Sequence, residues 1–396
     1  MILTINKKYS EEKTTMNILV IGSGMMGRAI AYDLGTHSNF NNITIVDKDN
    51  ETLQYAENFL QGKNINFANI NVEDTTEVKK HFQNIDIAIS AIPYRFNYDL
   101  ARIAIETKAH FIDLGGNNQI VENERYLFEK AKKNDITIIP DCGLAPGLVS
   151  IITRDIVDEM DSVDYVKLRV GGLPMDPKPP LNYQIVFSPN GLINEYVEDA
   201  MILDHGEIIK KKSMTDIEIV SFPRPFGDME AFITSGGCST LPSTYKKCIN
   251  YLDYKTIRYK GHCESFKPLL DMGLAGESPI DIGNQKIIPR HLLIALLMKN
   301  VSTAGKDVVL LKVLSEGMRN GEKCSLEYTM IDYYDDENNI TAMMRTTGYP
   351  VSIIAQMIED GVINKRGVFC PEEIVPPKAF FGELKKRDIQ LNKEMK

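Results

Sequence analysis

A short apolar run, Ile18 to Ile21, leads into Gly22, Gly24 and Gly27, and a helical pattern with Ala29, Ile30 and Leu34 on one side follows. No other feature constrains the fold of this chain as tightly. The first glycine permits a tight turn, the second lets a pyrophosphate approach the backbone, and the third lets helix pack on strand. The free N–H groups of the helix N-terminus complete an anion site. A second apolar run, Ile43 to Val46, ends in Asp47, about 20 residues past the motif, where an acid that binds a ribose is expected. The turn Gly22, Ser23, Gly24, Met25, Met26 and Gly27, with Asp47, is therefore expected to bind a dinucleotide. A carboxylate at position 47 repels a 2′-phosphate, which favours NAD over NADP, although Lys48 follows directly.

The next hundred residues keep this alternation. Helical stretches are expected over Glu51 to Leu60, from Asp74, over Asn97 to Thr107 and over Glu122 to Asn134. Strands are expected at Asn64 to Ile70, Asp86 to Ala91, His110 to Leu114 and Ile136 to Ile139. Strands alternating with helices imply a doubly wound parallel sheet of Rossmann type, in the order 3-2-1-4-5-6, with ligands at the carboxyl ends of the strands. Ala91, Ile92, Pro93, Leu114 and Gly115 then line the cofactor's far end, and Tyr94 lies beside it. From PDCGLAPG (140–147) onward, strands alternate in polarity and loops lengthen, as in a second α+β domain with a mixed, largely antiparallel sheet. GGLPMDPKPPL reads as a Pro-rich loop. The tail from Tyr349 reads as helical, with an irregular piece around RGVFCPEEIVPP, and its apolar stretch Val351 to Ile358 as buried. The expected organisation is a possible disordered extension (1–15), a dinucleotide domain (16–145), a substrate and dimerisation domain (146–345), and a helical segment packing back on the first domain (346–396).

Bulk properties remove several function classes. A chain of 396 residues exceeds one ordinary core. Its net charge of −9 argues against nucleic acid or anionic membrane as main partners. The apolar runs are too short to span a bilayer, and the first 15 residues have no apolar signal core. Six cysteines without a C-x-x-C pair read as reduced thiols in a cytoplasmic protein. His37, His81 and His262 form no close-spaced ligand set, so no metal is expected.

Candidate chemistry sits at the strand ends and in two later segments. Asp113 and Asp141 end the fifth and sixth strands; each is either catalytic or a turn cap. In FGDMEAFITSGGCSTL, the loop Ser235, Gly236, Gly237, Ser239 and Thr240 offers N–H and hydroxyl donors to a carboxylate, and Glu230 can hold an ammonium. In YKTIRYKGH, Arg258 can grip the same carboxylate, with Lys255 and Arg224 as weaker candidates. His262 is either a proton-transfer group or a buried histidine bonded to backbone.

Together, NILVIGSGMMGRAIA, IETKAHFIDLGG, TIIPDCGLAPGLVSI, GGLPMDPKPPLNY, EAFITSGGCSTL, YKTIRYKGH and KRGVFCPEEIVPP resemble the saccharopine dehydrogenase-like family. His262, where related reductases tend to carry an aromatic residue, points within it to the lysine 6-dehydrogenases. The resemblance implies NAD-dependent oxidative deamination of the lysine ε-amine, giving 2-aminoadipate semialdehyde, which cyclises to a piperideine carboxylate, with ammonia and NADH. Asp141 or His262 would act as base, Arg258 and the 235–240 loop would take the α-carboxylate, and Glu230 or Asp113 the α-ammonium. Two alternatives stay open: a saccharopine or carboxynorspermidine dehydrogenase acting on a secondary amine, and a non-catalytic NAD-binding sensor. A homodimer is expected from the apolar C-terminal helix and the second-domain sheet.

Overall fold

Alternate residues of the first strand face opposite cores. The structure, a computed structural model, describes residues 16–396. The expected extension over residues 1–15 lies outside the described residues. In β1 (Asn17–Ile21), Ile18 and Val20 join one hydrophobic cluster while Leu19 and Ile21 join another, so the strand is buried on both faces. Around it stand β2 (Asn42–Asp47), β3 (Ile65–Asn69), β4 (Ile87–Ser90), β5 (His110–Asp113) and β6 (Thr137–Ile139). All pair in parallel, and in space they run 3-2-1-4-5-6, as expected. The intervening helices are α1 (Met25–His37), α2 (Asn50–Phe59), α3 (Thr75–Phe82), α4 (Asn97–Thr107), α5 (Asn118–Arg125) and α6 (Phe128–Lys133). The last two correct the single expected helix 122–134, which breaks at Tyr126 and Leu127. Asp74 caps α3, accepting from the N–H groups of Thr76 and Glu77 at 3.0 and 3.1 Å.

After α7 (Leu148–Glu159), the second sheet begins with β7 (Ser162–Pro174). This strand takes in Gly171 to Pro174, so the Pro-rich loop starts later than the composition suggests. Next come α8 (Pro189–Val197), β8 (Ala200–Asp204), β9 (Glu207–Lys211), β10 (Glu218–Ser221), β11 (Asp228–Ile233), α9 (Leu241–Tyr245), β12 (Ile249–Arg258) and α10 (His262–Asp271). A two-stranded hairpin, β13 (Ile280–Ile282) and β14 (Gln285–Ile287), precedes α11 (Pro289–Asn300), β15 (Asp307–Arg319) and β16 (Glu322–Tyr333). The sheet is mixed: β12 runs parallel to β7 and its other neighbours pair antiparallel.

The final segment ties both sheets together. In α12 (Ala342–Glu359), Gly348 sits against α1, where a Cβ would lie 2.8 Å from that of Ala29. The stretch read as irregular contains β17 (Gly367–Val368), which adds a seventh parallel strand beside β6. After α13 (Pro371–Ile374) and α14 (Pro377–Lys386), β18 (Asn392–Met395) pairs with β16. The tail is thus not helical throughout, because two short pieces complete sheet edges. A buried ion pair, Arg387 Nε to Asp33 Oδ1 at 2.7 Å, anchors the end of α14 to α1. The apolar face of α12 is consumed inside the chain, which removes it as a dimer surface. Among the described residues no helix is long and apolar enough to cross a membrane, and the six cysteines are unpaired.

Candidate active site

The glycine turn has the geometry its spacing promised. Gly22 has φ +100° and donates its N–H to Val46 O at 2.7 Å. A Cβ on Gly27 would fall 1.7 Å from Gly22 O, so helix and strand touch backbone to backbone. A Cβ on Gly24 meets nothing within 4 Å, and α1 has no side-chain cap. Open space over uncapped N–H groups is what a pyrophosphate requires. Asp47 closes the turn, its Oδ2 accepting from Ser23 N–H at 2.7 Å and Ser23 Oγ at 3.1 Å. Lys48 turns away to Glu73 at 3.6 Å on the surface. Arg28 donates to Ser23 O at 3.2 Å and stacks on Tyr55. Ala91 donates its N–H to Ile21 O, and Ile92 packs against Gly22, so the end of β4 borders the turn. Pro93 precedes a short turn carrying Tyr94, whose hydroxyl accepts from Asn194 Nδ2 at 3.3 Å and bridges the two halves.

A cavity of about 180 Å³ opens between the two sheets. Met26 and Leu114 line it from the dinucleotide side, and the floor is Gly171 and Gly172 of β7. The far wall is Tyr254, Thr256 and Arg258, which share one face of β12 by the two-residue period of a strand. Lys255, on the opposite face, is engaged by Glu218 at 2.8 Å, and Arg224 is exposed on a loop; neither reaches the cavity. Glu195 of α8 also lines it. Ser188 caps that helix and Pro189 occupies its first turn, which fixes where Glu195 points.

Arg258 is buried and nearly saturated. Its Nε donates to Tyr196 Oη at 2.9 Å, its Nη1 donates to Ile257 O at 2.9 Å, and its guanidinium lies 4.7 Å over the ring of Tyr183. Nη2 makes no hydrogen bond to a described residue. Burial opposes its charge, but the oxygens of Tyr196 and Tyr183 and the Glu195 carboxylate raise its pKa above the usual value. Burial pushes Glu195 up to about 7, with Arg258 pulling it back.

Several expected roles dissolve in the geometry. His262 is buried, its Nδ1 3.0 Å from Leu181 O and its Nε2 3.0 Å from Tyr196 Oη. Both nitrogens are occupied, burial and the nearby Arg258 lower its pKa to about 3, and it does not line the cavity. It is the buried histidine of the two readings, bracing Tyr196 against Arg258. Glu230 accepts from the N–H groups of Gly261 (2.8 Å) and Cys263 (2.7 Å), so it caps α10 and lies outside the cavity lining. The hydroxyls of the 235–240 loop are spent internally: Ser235 on Asn194 O, Ser239 on Asp141, Thr240 on Glu372. Gly236 faces open space, and Gly237 admits the ring of Tyr254. The loop backs the wall, with Gly237 against the Tyr254 ring, and does not line the cavity.

The two strand-end acids do come together. Asp113 is fully buried, its Oδ1 accepting from Gly115 N–H at 2.6 Å and more weakly from Asp141 N–H at 3.4 Å. Asp141, with φ +64°, accepts from Ser239 Oγ, while its Oδ1 is partnerless and packs directly against Gly115. Burial raises Asp113 to about 6 and Asp141 to about 8, partly offset by these hydrogen bonds. Leu114 and Gly143, which flank them in sequence, line the cavity.

Glu195, Tyr254 and Thr256 escaped the sequence reading. The last two share the period of Arg258 and were open to it; Glu195 in NGLINEYVED looks like any helix charge.

Residues 18–139 match the saccharopine dehydrogenase NADP binding domain, and residues 143–389 the saccharopine dehydrogenase C-terminal domain. The chain belongs to the saccharopine dehydrogenase family. Saccharopine dehydrogenase [NADP(+), L-glutamate-forming] of Saccharomyces cerevisiae is 22% identical over 433 residues, covering 90% of this chain and 93% of that one. Rat mitochondrial alpha-aminoadipic semialdehyde synthase is also 22% identical, with 93% of this chain matching 47% of that protein. Among solved structures, apo saccharopine dehydrogenase of S. cerevisiae superposes with a TM-score of 0.78 at 22% identity over 96% of this chain and 100% of that one. Homospermidine synthase of Legionella pneumophila in complex with NAD gives 0.63 at 15% identity over 96% and 91%. These share the fold. As a family member, the chain carries the dinucleotide-binding domain of an NAD(P)-dependent dehydrogenase.

Proposed function

We propose that this chain is an NAD-dependent lysine 6-dehydrogenase, acting on the free amino acid in the cytoplasm as a homodimer. The observation that carries this reading is the pairing of Arg258 and Glu195 at one end of a cavity whose other end is Leu114 and Met26, beside the glycine turn. One cation and one acid side by side suit the α-carboxylate and α-ammonium of an amino acid. The apolar floor between them and the dinucleotide suits the lysine methylenes.

NAD held on the turn supplies the hydride acceptor for the ε-carbon. Arg258 Nη2 binds the carboxylate, and Glu195 orients the α-ammonium. A lysine ammonium has a pKa near 10.4 and delivers hydride only as the neutral amine. Asp141, buried beside the cavity residues Leu114 and Gly143 rather than lining the cavity itself, is the proposed acceptor of that proton in its ionised form above about pH 8. Water then adds to the imine, ammonia leaves, and the semialdehyde remains. Asp47, with Lys48 turned away, supports NAD over NADP.

The test mixes purified protein with NAD and L-lysine near pH 9, with NADP in parallel. NADH and ammonia in equal amounts support the proposal. A second reading, a dehydrogenase forming or splitting a secondary amine with NADP, is favoured by the names of the relatives. It predicts no lysine turnover, and consumption of reduced cofactor when an aldehyde and an amino acid are supplied together. NAD binding without either turnover would indicate a sensor.

A further inference from the structure

Asp113 collects neutral donors from three sides. Besides Gly115 N–H and Asp141 N–H, the Asn97 side chain at the start of α4 lies beside it, and Asn97 is itself fixed by Ser90 Oγ at 2.8 Å. The fourth side is taken by Glu124 of α5, which is 0% exposed and whose carboxyl lies beside that of Asp113. Two carboxylates cannot share a hydrogen bond unless one carries a proton. With both ionised, Asp113 Oδ2 and both oxygens of Glu124 have no partner at all. Among the described residues no cation relieves them. The neighbouring Arg125 turns outward to Cys370 and Glu373, at 3.3 and 3.4 Å. Among the described residues no group of three or more His, Cys, Asp or Glu is placed to hold a metal ion. The other titratable groups facing the pair are Asp141 and Cys142 after β6, with Glu372 and Cys370 of the tail beyond them.

We propose that Glu124 is held in its protonated form and donates to Asp113, keeping Asp113 ionised and oriented at the nicotinamide end of the cavity. Glu124 is then a positioning residue that acts through Asp113. Burial, and after it the charge of Asp113, push Glu124 well above its ordinary value. At neutral pH the cluster carries its charge on the one acid that has donors from every side, and Asp141 remains free to ionise in the alkaline range. Only the kinetic arm of the test rests on the lysine reading.

The spectroscopic arm is an infrared difference spectrum of the full chain at neutral pH, wild type against E124Q, with exchange into heavy water to mark carboxylic-acid carbonyls. A protonated-carboxyl band lost in E124Q is the expected result; identical spectra in that region overturn the proposal. The kinetic arm follows kcat/KM for lysine against pH. Below the Asp141 limb near pH 8, E124Q, whose amide still donates, keeps a second acid limb near pH 6 set by Asp113. E124L withdraws the donor and shifts that limb to the alkaline side, roughly tenfold slower at pH 6 and near wild type at pH 9. A loss equal at all pH values in E124L and shared by E124Q overturns the positioning role. If lysine is not turned over, the infrared band still decides the proton; a missing band with intact turnover sinks this inference alone.

Discussion

The two ends of the cavity are built on opposite plans. The dinucleotide end is backbone: three spaced glycines, an uncapped helix and one acid at the end of the next strand. The opposite end is side chains from α8 and β12, resting on β7 and α12 and braced by residues that never touch the cavity. A backbone device needs a fixed local spacing. A side-chain device needs only that distant elements arrive together, so it leaves no spacing to read. This difference also sets how each end should fail.

The largest effect is expected where backbone meets backbone. Gly27→Val forces a side chain into Gly22 O, and NAD binding, followed by fluorescence titration, should weaken by roughly 1,000-fold or more. Binding within about tenfold of wild type would break the comparison. Next, Asp141→Asn should lower turnover roughly 1,000-fold at pH 9. It should also gain stability there. The folded chain keeps the Asp141 proton up to about 8, while the unfolded chain loses it near 3.8. Wild-type stability therefore falls as pH rises between those values, and Asn removes the loss. Melting temperatures that differ equally at pH 4 and pH 9 would contradict this. Third, Arg258→Ala should reduce kcat/KM for lysine roughly 100-fold while NAD affinity stays within about twofold. A matching loss of NAD affinity would mean the two ends are not separable. The smallest effect is expected at His262. His262→Asn should change kcat by less than about fivefold and leave the shape of the pH profile intact, because the ring braces rather than titrates.

The same contrast explains how much was legible in the sequence. The parallel sheet order followed from apolar runs with glycine punctuation, and Asp47 from its distance to the motif. Arg258 was visible as a lone arginine in a strand. Glu230 and His262 were chosen by residue type, and type does not reveal that a helix N-terminus or a tyrosine has already taken them. Glu195 and Glu124 carry no local mark, since desolvation by distant elements is what sets them apart. The two tail strands are too short for periodicity and exist only because sheet edges stand ready beside them.

Those two strands carry a consequence for synthesis. The edges of β6 and β16 are covered by β17 and β18, which leave the ribosome hundreds of residues after β1. The β6 edge offers an open ladder from residue 139 until residue 367 emerges, and the β16 edge from residue 333 until residue 392. A nascent chain of this protein is thus exposed to mispairing first at one sheet and, late in its translation, at both, and a late frameshift or nick would be felt in both halves at once.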